Sequence, residues 1–151
     1  MTAIERSALL PHPVEHLFDL VNDIERYPEY MQGCVGAEVL ARESAGGAQE
    51  IVIARLELAR GPLRQSFVTR NRVERPSSIH MGLEEGPFRR FRGEWSFVPL
   101  GPSASKVGLV LEFELANRLI GRAAGKLFES VASQLVDSLS ARAATTAVAG
   151  R

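Results

Sequence analysis

Residues 106–139 read KVGLVLEFELANRLIGRAAGKLFESVASQLVDSL. The first ten alternate. Val107, Leu109, Leu111, Phe113 and Leu115 fall on one side, with Lys106, Glu112 and Glu114 on the other. That is the period of a strand with one wet face. Asn117 is a helix-capping type, and beyond it the period becomes 3.6. Leu119, Ile120, Ala123, Ala124, Leu127, Phe128, Val131, Leu135, Val136 and Leu139 form one broad apolar stripe. A helix with such a face cannot stand alone in water. It needs a large apolar surface, and the residues before it supply one.

Upstream, the two-residue period repeats. Residues 84–95, EEGPFRRFRGEW, hold a Gly-Pro turn followed by a strand. Phe91, Gly93, Trp95 and Phe97 share its inner side, and Arg90, Arg92, Glu94 and Ser96 its outer side. In LRQSFVTRNRVER (63–75), Leu63, Gln65, Phe67, Thr69, Asn71 and Val73 face one way, and Arg64, Arg70 and Arg72 the other. Val52, Ala54, Leu56 and Leu58 repeat the pattern, as do Ile79, Met81 and Leu83. Val35, Ala37 and Val39 form a further alternating set. Gly46-Gly47 and Gly61-Pro62 mark turns between the runs. Six such strands joined by short turns predict an antiparallel meander.

Residues 2–10 give a weaker strand, ended by Pro11 and Pro13. His12 is expected at a helix N-cap with Pro13 at the first helical position. Val14, Leu17, Phe18 and Val21 then mark a short amphipathic helix. Asp23 is expected to cap a second helical piece, IERYPEYM, which Pro28 breaks. The fold class is therefore α+β. A curved antiparallel sheet of about seven strands surrounds a long C-terminal helix, with two short helices after strand 1. Residues 1–143 are expected to form a single domain, with 144–151 as a frayed tail.

The totals narrow the function. Lys plus Arg and Asp plus Glu are 18 each, so no global charge draws the molecule to nucleic acid or membrane. One cysteine, Cys34, excludes an internal disulfide. No basic start precedes a long apolar run, so the reading expects a cytoplasmic protein. No paired histidines, HExxH or phosphate loop point to a metal or a nucleotide. No catalytic residue and no metal site are assigned, and sequence-specific DNA binding is not expected.

Between a bent sheet and its helix, the inward side chains either fill the core or leave an apolar pocket. The candidate wall is Phe67, Met81, Phe91, Trp95, Phe97, Leu111, Leu127 and Val131, with Gln65, Thr69 and Asn71 as its polar groups. Tyr27, Pro28, Tyr30, Met31 and Phe88 are candidates for an entrance. Arg64, Arg70, Arg72, Arg90 and Arg92 serve either as a solvated face or as a face for an anionic partner.

Three segments carry a resemblance: LFDLVNDIERYPEYMQGC (17–34), FVTRNRVERPSSIHMGLEEGPFRRFRGEWSFVPL (67–100) and KVGLVLEFELANRLIGRAAGKLFESVASQLVDSLSARA (106–143). With the YP, TRN, GPF…W and VD…RA elements in order, the chain resembles the coenzyme Q-binding and RatA-type family. That family is also labelled oligoketide cyclase/lipid transport and lies within the START/Bet v1-like helix-grip (SRPBCC) group. The resemblance implies a hydrophobic cavity under the long helix. It also implies a polyprenyl quinone such as ubiquinone, or another lipid, as ligand. Relatives include a toxin that hinders ribosomal subunit association, and the cyclase label rests on distant polyketide enzymes. Here MQGC (31–34) replaces the more usual apolar-Pro-Trp-Cys run, which bears on the shape of one entrance.

The leading expectation is thus non-enzymatic carriage of a lipophilic small molecule, with no required cofactor. The alternatives are a ribosome-associated regulator and a polyketide cyclase or dehydrase. The expected partners are the lipophilic molecule itself and either a ribosomal subunit or the respiratory-chain membrane surface. The last would place the protein peripheral to the inner membrane.

Overall fold

The computed structural model describes the backbone at residues 2–116 and 121–149. The chain runs β1 (Thr2–Leu10), α1 (Val14–Asn22), a 3-10 helix (Ile24–Glu29), β2 (Cys34–Gly46), β3 (Gln49–Arg60), β4 (Leu63–Glu74), β5 (Ser78–Glu85), β6 (Phe88–Gly101), β7 (Ala104–Leu115) and α2 (Gly121–Ala149). Seven antiparallel strands form one sheet in the order β1-β7-β6-β5-β4-β3-β2. Among the described residues, only the β1–β7 pairing joins strands far apart in sequence. It brings Ile4 opposite Leu111 and Leu10 opposite Ser105. This is the helix-grip architecture, with α2 lying across the concave face.

Alternation places the inward set as the pattern requires. Val52, Val73, Ile79, Trp95, Phe97, Val107, Leu109 and Phe113 are all buried. From α2, Ala124, Leu127, Phe128, Val131, Val136 and Leu139 bury against them, whereas Ala123 is exposed. The expected cap Asn117, with Leu119 and Ile120, lies outside the described residues.

Three expectations need correction. The N-cap of α1 is Pro13, not His12. Pro13 has φ −62° and ψ 150°, and its carbonyl accepts from the amides of His16 and Leu17. The His12 carbonyl instead accepts the Ser105 hydroxyl at 2.8 Å, which ties the chain to β7. Residues 144–149, expected to belong to a frayed tail, continue α2 instead. Ala143 is fully buried and Thr146 Oγ1 lies 3.0 Å from His16 Nε2, so α2 docks on α1 at these residues. Val35 points outward, 48% exposed, because a register shift between Cys34 and Gly36 rotates it away from Ala37 and Val39. Asp23 does stand at the start of the 3-10 helix, but its side chain makes no capping bond.

Candidate functional site

Between the concave sheet and α2 lies a partly open cavity of about 80 Å3. Its floor is Leu56, Leu58, Phe67, Thr69, Met81, Phe91, Trp95, Leu111 and Phe113. Phe128, Val131, Ala132 and Leu135 of α2 roof it, and Tyr27, Met31 and Cys34 close one side. Gly93 makes the space possible. A β-carbon there would stand 2.5 Å from Met81 Cε and 2.6 Å from Leu111 Cδ2, both belonging to wall residues.

One end of the chamber is sealed by rings. Phe88 lies 4.6 Å from Phe128 and 5.1 Å from Phe91, centre to centre, and Phe67 lies 5.6 Å from Phe128. The tilted and edge-on angles are those aromatic pairs prefer. A register shift between Phe88 and Arg90 turns Phe88 inward into this cluster. It lines the chamber at this end.

At the other flank the 3-10 helix is clamped to α2. Arg142 Nη2 donates to Glu29 at 2.8 Å, and the guanidinium lies 5.1 Å from the Tyr30 ring centre. The Arg142 guanidinium holds the Glu29 carboxyl below its ordinary range. Tyr27 and Tyr30 donate their hydroxyls to the carbonyls of Val21 and Leu20. Burial pushes both phenols well above their ordinary range.

Of the sequence candidates, Phe67, Thr69, Met81, Phe91, Trp95, Leu111 and Val131 meet in the wall, together with Tyr27, Met31 and Phe88. Gln65, Asn71, Phe97, Leu127, Pro28 and Tyr30 do not. Phe97 lies beyond Trp95, stacked on it at 6.2 Å and edge-on to Phe18. Asn71 is buried with its Oδ1 unpartnered. Leu56, Leu58, Phe113, Phe128 and Leu135 were already legible as inward-facing. Cys34 and Ala132 carried no signal beyond their small size.

The wall offers little chemistry. Burial pushes the Cys34 thiol up to about 11, and the thiol donates to the Gly36 carbonyl at 3.4 Å, so it stays protonated and unreactive at neutral pH. Thr69 and the Trp95 indole are the remaining wall groups able to orient a polar atom. The histidines lie elsewhere. His12 and His16 sit between α1 and the end of α2, and His80 lies 3.8 Å from Glu94 on the convex face. Among the described residues no three His, Cys, Asp or Glu side chains gather to hold a metal. No described helix is long and apolar enough to cross a membrane.

The convex face carries the five arginines. Arg64 pairs with Glu57 and Arg92 with Glu112, while Arg70, Arg72 and Arg90 are exposed.

The chain is 43% identical to the ribosome association toxin RatA of Pseudomonas aeruginosa, over 94% of this chain and 95% of that protein. It is 36% identical to the RatA of Escherichia coli K12, over 95% and 87% respectively. A weaker likeness, 26% over 62% of this chain and 44% of the relative, links it to the mitochondrial coenzyme Q-binding protein COQ10 of Dictyostelium discoideum. Among solved structures, an 18 kDa Caulobacter crescentus protein superposes with a TM-score of 0.76 at 29% identity, covering 97% of this chain and 98% of its own. A START superfamily protein from Mycobacterium smegmatis gives 0.76 at 23%, covering 95% and 98%, a likeness of fold. Residues 10–140 match the family described as polyketide cyclase / dehydrase and lipid transport, and the chain belongs to that family.

Proposed function

We propose that the protein associates with the ribosome and hinders the joining of its subunits. The observation that carries this reading is the end-to-end similarity to RatA proteins, at up to 43% identity across nearly the full length of both chains. The coenzyme Q-binding relative covers less of the chain at lower identity. Sucrose-gradient profiles after overexpression test the proposal. Free subunits should accumulate while the whole-ribosome peak shrinks. Unchanged peaks would overturn it.

Carriage of a lipophilic small molecule, the leading expectation from the sequence, is the second reading, favoured by the apolar chamber. Each Å2 of apolar ligand surface removed from water gives about 25 cal/mol, and Thr69 with the Trp95 N–H would orient a ring carbonyl. Size sets the limit. A chamber of 80 Å3 is small beside the roughly 300–1,000 Å3 of ordinary ligand sites. It takes a small ring. A polyprenyl tail requires α2 or the 3-10 helix to move outward. Titration of Trp95 fluorescence with short-tailed quinones tests this, and the absence of a saturable change would end it. Cyclase chemistry is not adopted, because the two ionisable wall groups, Tyr27 and Cys34, are both held protonated.

A further inference from the structure

The antiparallel register sets the convex side chains in rows. One row runs Arg70–Gly82–Arg92 across β4, β5 and β6, and the next runs Arg72–His80–Glu94. Arg90 stands two residues before Arg92 on the same face. The centre of this group is bare. A β-carbon at Gly82 would meet nothing nearer than the Arg70 carbonyl oxygen, at 3.8 Å. Neighbouring strands are ~4.8 Å apart, so the arginines of β4 and β6 flank an open notch roughly 10 Å wide.

Charge is unevenly spent around it. Between β6 and β7, Arg92 pairs with Glu112 at 3.0 Å and Arg89 with Glu114 at 3.8 Å, and His80 of β5 lies 3.8 Å from Glu94 of β6. Arg70, Arg72 and Arg90 are exposed and enter none of the ion pairs among the described residues. Glu84 and Glu85 lie to one side, at the β5–β6 turn. Glu94, whose neighbour in the row is a histidine rather than an arginine, offsets one of these three arginine charges, and the balance around the notch stays positive.

We propose that this notch docks on the phosphate backbone of RNA, an inference that rests on the ribosome-association reading and assigns it a surface. The planar guanidinium fork fits phosphate oxygens in a bidentate fashion. The aromatic side chains of β4 and β6 point inward, so this face offers no platform for base stacking. Contact is then to the backbone and blind to sequence. Of the large exposed apolar side chains, Leu9, Val98 and Leu100 lie near the β6–β7 turn and the end of β1, Val35 and Leu40 lie on β2, and Val110 stands on β7 opposite Glu94, at the border of the notch rather than in it. The notch accordingly lacks the apolar centre of a protein interface and the greasy anchors of a membrane surface.

The test compares the intact chain with the triple variant Arg70→Ala, Arg72→Ala, Arg90→Ala, whose fold is checked by circular dichroism. The probe is a fluorescein-labelled A-form RNA duplex of arbitrary sequence. Three neutralised phosphates predict a log–log salt slope of about −2 to −3, a weakening of roughly 20- to 60-fold from 50 to 200 mM salt. The triple variant should lose most of that slope and should no longer co-sediment with ribosomes. If the folded variant co-sediments as the parent does, the inference is overturned while ribosome association stands. If the parent binds duplex with the predicted slope yet ignores ribosomes, the surface stands and the ribosome reading falls. Arginine-dependent binding to phosphatidylserine vesicles but not to RNA, or salt-insensitive capture by ribosomal protein stripped of RNA, overturns the inference.

Discussion

Replacing Phe128 by alanine probes what holds α2 to the sheet. Phe128 is 4% exposed, and its ring centre lies 4.6 Å from Phe88, 5.6 Å from Phe67 and 6.0 Å from Phe113. Truncating a buried Phe to Ala costs ~3–5 kcal/mol, part transfer and part void. Three ring contacts, each worth ~0.5–1.5 kcal/mol beyond burial, place this site in the upper half, about 4 kcal/mol. The new void opens into the existing 80 Å3 chamber, so collapse recovers little. A chain of this length loses ~2–4 °C of melting midpoint per kcal/mol, giving a fall of roughly 8–16 °C. Urea unfolding should show a lower midpoint with unchanged slope. Because the enlarged space is lined by apolar side chains, benzene should restore part of the loss, ~2.7 kcal/mol at a hundred times its dissociation constant. A loss below ~1 kcal/mol would refute the reasoning, for the ring cluster would then not be what grips the helix.

Gly33→Ala should cost ~2–4 kcal/mol in chemical denaturation. Gly33 has φ +87°, and its β-carbon would press to 2.6 Å of Val131 Cγ2, adding a left-handed-backbone penalty to overpacking. His12 is held below its ordinary value of 6.5, first by burial and then by His16. The unfolded chain therefore binds the proton more readily, so stability is lost as pH falls below about 6.5. Denaturation midpoints from pH 7.5 to 5 should show this fall, and His12→Gln should flatten it. Glu29 is shifted in the same direction. Its carboxyl, ordinarily at 4.5, is lowered chiefly by Arg142, so its clamp holds through that range and is released only at lower pH. Glu29→Gln should leave the midpoint nearly unchanged at pH 7, yet speed amide exchange across 27–31.

The inward faces of β3 to β7 were legible because a buried sheet face fixes the side-chain period at two. Phe91, Gly93, Trp95 and Phe97 illustrate this, since any slip would put three aromatics in water. Val35 was misplaced because a register shift between Cys34 and Gly36 rotates a single residue, which a strict two-residue period does not show. The chamber was half legible. Pattern tells which residues face inward, but not where along each strand the curvature leaves space. That is why Phe97 and Gln65 were over-assigned and Phe113 and Phe128 under-used. Its volume depends on the spacing between sheet and helix, which no single residue encodes.

The central claim meets its most direct test in a purified joining reaction. Isolated large and small ribosomal subunits are mixed under associating conditions, with and without the protein, and resolved on a sucrose gradient. The account predicts a smaller whole-ribosome peak, dose-dependent in the added chain, with the protein migrating alongside a subunit. Full assembly at every dose, with the protein left at the top of the gradient, would contradict it.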